Sequence, residues 1–202
     1  MNTKQREETM TLEILQAIDA KSDVTQRHLA SHMGVALGLA NSYLKRCVRK
    51  GLVKIQQAPA NRYLYYLTPM GFAEKGRLTA DYLSYSFSFY RQASESCGDV
   101  LAVCKEHGFQ RLGLYGLSDL AEIAALRAME HELEFVCLLD PSYSNKPFLN
   151  LPVIHDLSDA PDLDAWLFTE LNDAAGRCQQ LRDFVGDERV LVPSILGLNT
   201  ES

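Results

Sequence analysis

Residues 25–51 read TQRHLASHMGVALGLANSYLKRCVRKG, and the spacing inside this stretch decides the fold of the first third of the chain. Thr25 is suited to cap a helix running to Met33, with Leu29, Ala30 and Met33 turned inward. Gly34 supplies the turn that follows, where a positive φ is cheap only for glycine. A second helix is expected over about residues 37–50. Its buried face carries Ala40, Tyr43, Leu44 and Cys47, and its other faces carry Asn41, Ser42, Lys45, Arg46 and Arg49. One helix to brace, a tight turn and a second helix able to enter a groove is the arrangement a nucleic-acid reader requires. The cations of KRCVRK also suit the negative end of a helix dipole, so alone they mark only a well-terminated helix. The turn in front of them favours the reader.

Working outward, MTLEILQAIDA at residues 10–20 places Leu12, Leu15 and Ile18 at helical spacing, with Ile14 broadening the stripe. Ser22 or Asp23 turns the chain toward Thr25. After Gly51 the period shortens. Residues 52–56 (LVKIQ) and 62–67 (RYLYYL) alternate as strands around the turn cluster Ala58-Pro59-Ala60-Asn61. Helix, helix, turn, helix and hairpin is the order of a winged helix.

The segments LASHMGV, SYLKRCVRKGLV and YLTPMG resemble the corresponding parts of MarR-type regulators, in which GL(V/I) begins the wing and LTPxG opens the next helix. The resemblance covers roughly residues 8–92 and is nearest to the regulators associated with exopolysaccharide gene clusters. It implies that Leu37, Gly38, Asn41, Ser42 and Lys45 meet the major groove. Asn can read adenine through two hydrogen bonds, and Lys can reach guanine or phosphate. It also implies that Thr25, Arg46 and Arg62 touch backbone phosphates, which position the protein without specifying sequence. Ala36, Leu37 and Gly38 depart from the pattern, standing where polar residues are usual. Base readout is therefore expected to be sparse, relying on contact with thymine methyls or on DNA shape.

The whole chain has 202 residues and a formal charge of −6, with 47% apolar and 23% charged residues. These are globular values. The charge is unevenly divided. Residues 1–80 hold twelve Lys/Arg against six Asp/Glu, a balance of +6, and residues 81–202 hold eight against twenty, a balance of −12. A basic binding module fused to an acidic module with another task is implied. Five cysteines without a C-x-x-C pair read as buried free thiols in a reducing compartment. The polar start MNTKQREETM lacks the apolar core of a signal peptide, and no apolar run approaches the roughly 20 residues of a membrane span. A cytoplasmic protein with no membrane partner is expected.

Thr68-Pro69 is a helix start, a capping hydroxyl followed by proline at the first helical position. A helix over residues 69–92 would be about 36 Å long. It would align Leu78, Tyr82, Tyr85 and Phe89, flanked by Leu83, Phe87 and Tyr90. So wide an aromatic face on a small winged helix predicts a homodimer interface, although SYSFSF also alternates like a strand. Gly98 is expected to end this run, with one more short helix from Asp99 closed by Gly108.

Beyond residue 108, strands alternate with helices. Strands are expected at residues 111–115, 133–139, 152–154, 165–168 and 189–192, with helices to about His131 and over about residues 174–185. This is the pattern of a parallel Rossmann-type sheet. The first turn, GLSDLA, is a degraded dinucleotide loop. Gly116 fits the first glycine and Ala121 the third position, but Ser118 replaces the central glycine. Asp140, at the end of the second strand, fits the acid that holds a ribose. Gly116, Ser118, Asp119 and Asp140 are the expected ligand-binding residues. The stretches LGLYGLSDLAEIAALRAME, LEFVCLLDPS and FLNLPVIHDL resemble the small Rossmann-like domain of nucleotide-sugar acyltransferases. The architecture is also similar to that of the Rex redox repressors, but the missing central glycine argues against NAD sensing.

The resulting expectation is an α+β winged helix-turn-helix domain (1–80), a helical connector and dimerisation region (81–108) and an α/β Rossmann-like domain (109–202). The function expected is a homodimeric regulator of double-stranded DNA whose second domain senses a small metabolite or serves as a dimer scaffold. No resident cofactor, metal or catalytic residue is expected, and a nucleotide or nucleotide sugar is the effector class. Two alternatives stay open: a sugar-nucleotide-processing enzyme, for which Asp119, Asp140 and His155 are weak bases, and a protein–protein adaptor. His28 and His32 are four apart but lack a third ligand, and Cys97 lacks a base partner.

Overall fold

The computed structural model describes residues 3–59, 62–142 and 148–198. Residues Ala60 and Asn61 of the expected wing turn lie outside the described residues. The chain divides into two compact units, Met1–Phe87 and Ser88–Ser202.

The first unit is built on three helices and a hairpin. Helix α1 (Thr3–Ala20) begins seven residues before the apolar stripe predicts, and it buries Leu12, Ile14, Leu15 and Ile18. Helix α2 (Gln26–His32) is capped by Thr25, whose Oγ1 accepts a hydrogen bond from the His28 amide at 3.1 Å. Gly34 has φ +61, as the turn requires. Helix α3 (Leu37–Arg49) buries Ala40, Leu44 and Cys47 against the other helices. Strands β1 (Val53–Ala58) and β2 (Arg62–Leu67) then pair antiparallel, with Val53 opposite Leu67. The Tyr65 amide donates to Ser22 O at 2.8 Å, tying the hairpin to the α1–α2 connection. Thr68 closes the unit. Its hydroxyl donates to Gly51 O at 2.6 Å and accepts from the Gly71 amide at 3.0 Å. Gly71 lies so near the Leu52 carbonyl that a Cβ there would overlap it.

Helix α4 (Pro69–Glu106) is one continuous element of 38 residues. The expected break at Gly98 does not occur. Glycine serves there for a different reason: the Arg127 guanidinium reaches within 2.8 Å of where a Cβ would stand. A glycine inside a helix costs about 1 kcal/mol in propensity, and here it admits a neighbour.

The second unit is a five-stranded parallel sheet. Its strands are β3 (Arg111–Tyr115), β4 (Glu134–Leu139), β5 (Val153–Ile154), β6 (Ala165–Phe168) and β7 (Val190–Leu191), in the order β5-β4-β3-β6-β7. Alternate residues divide between two cores. Leu112, Leu114, Leu138 and Leu167 pack with the carboxy-terminal part of α4 and with α5 (Asp119–Glu130). Tyr115, Cys137, Leu139, Trp166 and Phe168 pack with α6 (Ala174–Val185). The strands are apolar on both faces because helices cover both. The chain runs outward from β3 through β4 to β5 and then returns to the other side of β3 at β6. The carboxyl ends of β3 and β6 therefore form a topological switch point, the place where open α/β sheets hold ligands.

Candidate nucleic-acid interface and sheet crevice

The outward face of α3 follows from which face it buries. Ala40, Leu44 and Cys47 point into the core, so Gly38, Ser42, Lys45 and Arg49 fall on the opposite side at 100° per residue, and Asn41 falls on the flank between. Leu37, Gly38, Ser42, Lys45 and Arg49 are exposed, and Asn41 is half-buried. Lys45 and Arg49 make no ion pair among the described residues, nor does Arg62, which is exposed at the start of the second wing strand. Arg46 differs from them. Its guanidinium sits 2.9 Å from the Glu7 carboxylate of α1, and that hydrogen bond holds the Glu7 carboxyl below its ordinary value and raises Arg46. Thr25 is occupied in capping α2. Asn41 Oδ1 is buried without a hydrogen-bond partner among the described residues.

His28 and His32 stack with ring centroids 6.3 Å apart. No group of three or more metal-ligating side chains occurs among the described residues.

At the switch point of the second unit, polar groups of the chain bond to one another. Gly116 adopts φ +95, and a Cβ on it would lie 2.6 Å from Glu170 Cα. Ser118 caps α5, accepting from the Ala121 amide at 3.3 Å, while its hydroxyl donates to Thr169 O at 2.7 Å. The fully buried Thr169 hydroxyl lies 2.6 Å from Gly116 O. Asp140, 6% exposed, accepts from the Leu117 amide at 3.2 Å and from the Ser142 amide and hydroxyl at 2.9 and 2.8 Å. Burial pushes the Asp140 carboxyl upward, but the Ser142 and Leu117 hydrogen bonds and the Arg177 charge outweigh it, holding the group below its ordinary value. Asp119 opens α5 in its first turn, where a negative charge suits the helix dipole. His155 Nδ1 lies 2.9 Å from Asp140 O.

Three residues of this crevice are absent from the sequence-based set: Thr169, Glu170 and Arg177. Glu170 is buried, accepts from the Leu171 and Asn172 amides at 2.9 and 2.8 Å, and pairs with Arg177 at 3.0 Å. The available signal was a polar pair, Thr-Glu, directly after the apolar strand AWLF.

Residues 8–54 match the family model for winged helix-turn-helix DNA-binding domains. The match covers under half of the chain. No curated protein matches the sequence. Among solved structures, the chain is similar to MepR, a transcription regulator of the Staphylococcus aureus multidrug efflux pump MepA. The identity is 21% and the TM-score 0.36, over 43% of this chain and 63% of that one. A mutant MepR bound to oligodeoxyribonucleotide matches at 20% identity and TM-score 0.34, over 41% and 61%. The chain thus spans less than two thirds of the MepR structures. Two further matches span most of both chains. Human N-acetylserotonin methyltransferase in complex with SAM has 13% identity and TM-score 0.34 over 88% and 71%. The O-methyltransferase NcsB1 from neocarzinostatin biosynthesis, in complex with S-adenosyl-L-homocysteine, has 15% identity and TM-score 0.37 over 94% and 81%.

The expectation that the chain is not an enzyme is accordingly withdrawn, because matches that span both units are methyltransferases. Likeness at these values concerns fold and assigns no reaction. The amino-terminal winged helix followed by a parallel five-stranded α/β domain agrees with the fold class read from the sequence. No helix among the described residues is long and apolar enough to cross a membrane.

Proposed function

We propose that the chain is a DNA-binding transcription regulator of MarR-like type, working in the cytoplasm as a homodimer, with the exopolysaccharide-associated regulators as its nearest kind. The observation that carries this reading is the outward face of α3, where Ser42, Lys45 and Arg49 stand opposite the buried stripe and Asn41 borders it. Asn41 meets base edges, and Lys45 on α3 and Arg62 on the wing each meet a phosphate. Thr25 and Arg46 brace the helices: the Thr25 hydroxyl accepts from the His28 amide and keeps its O–H to donate to a phosphate, and Arg46 shares its guanidinium between Glu7 and a phosphate. The direct test is an electrophoretic shift of the chain's own upstream DNA over a range of salt. Lys45→Ala and Arg62→Ala each lower affinity, and each flattens the salt dependence by about one counterion. Specific binding that both variants retain in full is incompatible with this interface.

For the second unit we propose a small-metabolite site at Gly116, Ser118, Asp119 and Asp140, with a nucleotide or nucleotide sugar as the ligand class. The supporting observation is the acid Asp140 at the carboxyl end of β4, beside the switch point. A ligand entering there exchanges the Ser118–Thr169 and Asp140–Ser142 hydrogen bonds for its own. Binding therefore rearranges the loops after β3 and β4. A thermal-shift screen of nucleotides, nucleotide sugars and SAM tests it, since a specific ligand raises the melting temperature by mass action. Equal shifts in wild type and Asp140→Ala remove Asp140 from the site.

A further inference from the structure

Four successive residues at the start of α3 break the local rules for a helix terminus. The N-cap is Ala36, which makes no side-chain cap hydrogen bond, whereas Thr25 and Ser118 cap α2 and α5. Alanine offers no side-chain acceptor to the first amides of the helix. Gly38 stands in the first turn with nothing among the described residues within 4 Å of where its Cβ would be, so their packing does not call for a glycine. Leu37 and Leu39, on either side of it, are 45% and 40% exposed. One turn further on, the half-buried Asn41 leaves its Oδ1 buried with no hydrogen-bond partner among the described residues, a desolvated acceptor that folding alone does not compensate. Several broken rules in one short stretch mark a surface shaped for something outside the chain.

The surroundings of this patch fix the occupant. It lies in a half of the chain with a balance of +6, and the exposed cations Lys45 and Arg49 continue the same helix face. An apolar patch leading a cationic face suits an anionic partner that carries methyl groups. In double-stranded DNA the major groove presents one such group, the 5-methyl of thymine, beside the N6 donor and N7 acceptor of adenine. The missing Cβ at Gly38 permits the helix end to approach closely.

Resting on the DNA-binding reading above, we propose that α3 recognises A·T pairs. Leu37 and Leu39 pack on thymine methyls, and Asn41 turns its amide outward to the N6/N7 edge of adenine, which satisfies the oxygen left unpartnered in the free protein. Lys45 and Arg49 hold the adjoining phosphates. Specificity is thus read largely by apolar contact, and charge supplies affinity.

The test uses the full chain and 30-base-pair duplexes selected by it from a randomised pool. The selected duplexes are then remade with deoxyuridine for thymidine, which deletes the methyl and keeps every hydrogen-bonding group. A/T-rich selected sites that bind roughly fourfold more weakly per contacted methyl after the replacement are the expected result. Leu37→Ala is expected to bind thymidine and deoxyuridine duplexes with closer affinities while still shifting both. Selected sites without A·T preference, or equal affinity for the two duplexes, overturn the proposal and leave DNA binding standing. Failure to enrich any duplex overturns the DNA-binding reading itself.

Discussion

Replacing Gly116 by alanine tests whether the crevice is closed as the hydrogen bonds describe. At φ +95 an L-residue loses about 1–2 kcal/mol to contact between its Cβ and the backbone. The added methyl also meets three atoms of Glu170 at 2.6–2.7 Å, two of them backbone, so β3 and β6 must part. Overpacking of this kind costs about 1–3 kcal/mol. The total is about 2–5 kcal/mol, a loss of roughly 10 °C or more in a domain of this size. The chain's single tryptophan, Trp166, is buried in β6 and reports this unit by fluorescence during urea unfolding. Gly116→Ala should bring the Trp166 transition to lower urea with an unchanged slope. A midpoint equal to wild type would mean that the β3 loop stands clear of Glu170, and the account of a self-bonded crevice would then be wrong.

Two other outcomes follow from the same structure. Asp140 has a lowered carboxyl pKa in the fold, so its stabilising effect is complete above the unfolded value near 3.9 and fades as pH falls through the folded value. Asp140→Asn is therefore expected to cost about 1–3 kcal/mol at pH 7 and progressively less below about pH 4, as read by Trp166 unfolding at each pH. All five cysteines are free and buried, and burial pushes the thiols of Cys47, Cys97, Cys104 and Cys137 up to about 11. A thiol reagent at pH 7.5 should leave them unlabelled in the native protein and label all five in denaturant.

How far the sequence revealed the fold depended on whether the deciding contacts were local. As helix boundaries Thr25, Gly34 and Thr68-Pro69 are set by neighbours within four residues, and the structure keeps each, with the Thr68 hydroxyl reaching Gly51 O besides. The strands of the second unit were legible because apolar runs on both faces identify a covered parallel sheet. Gly98 misled because its role depends on Arg127, distant in sequence, and a glycine that admits a neighbour looks the same as one that ends a helix. The crevice was only half legible for a related reason. Gly116, Ser118 and Asp140 sit at recognisable offsets from their strands, whereas Thr169 reaches Gly116 and Ser118 from 53 and 51 residues away, and Glu170 pairs with Arg177 beyond the same strand. The phosphate contact of Arg46 is what the family resemblance implies, and its pairing with Glu7, which depends on how α1 packs across it, has no local signal.

The middle of α4 raises the remaining question, that of the homodimer. Between its first turns and Ala93 the helix carries Tyr82, Tyr85 and Phe89 along one stripe and Leu83, Phe87 and Tyr90 along another, each 44–59% exposed. A helix apolar on so much of its circumference is stable in water only when something covers it. An aromatic side chain can bury about 150–250 Å², so half-exposed ones leave roughly 100 Å² each. The six together offer about 600 Å² per copy, or about 1,200 Å² between two, the lower bound of a stable interface. Tyr82 and Tyr85 also line a cavity of about 260 Å³ between α1 and α4, together with Leu12 and Leu78, which is room for side chains of a second copy. Exchanging such contacts reciprocally is what a two-fold interface does. Tyr85→Glu combined with Phe87→Glu places one charge on each stripe, at positions outside both buried cores. Analytical ultracentrifugation should find wild type as dimer and the variant as monomer. The variant should also lose at least tenfold in affinity for a two-half-site duplex, because the second half-site is no longer tethered. A variant that remains dimeric and binds DNA as wild type does would place the interface elsewhere, and these aromatic stripes would then need another partner.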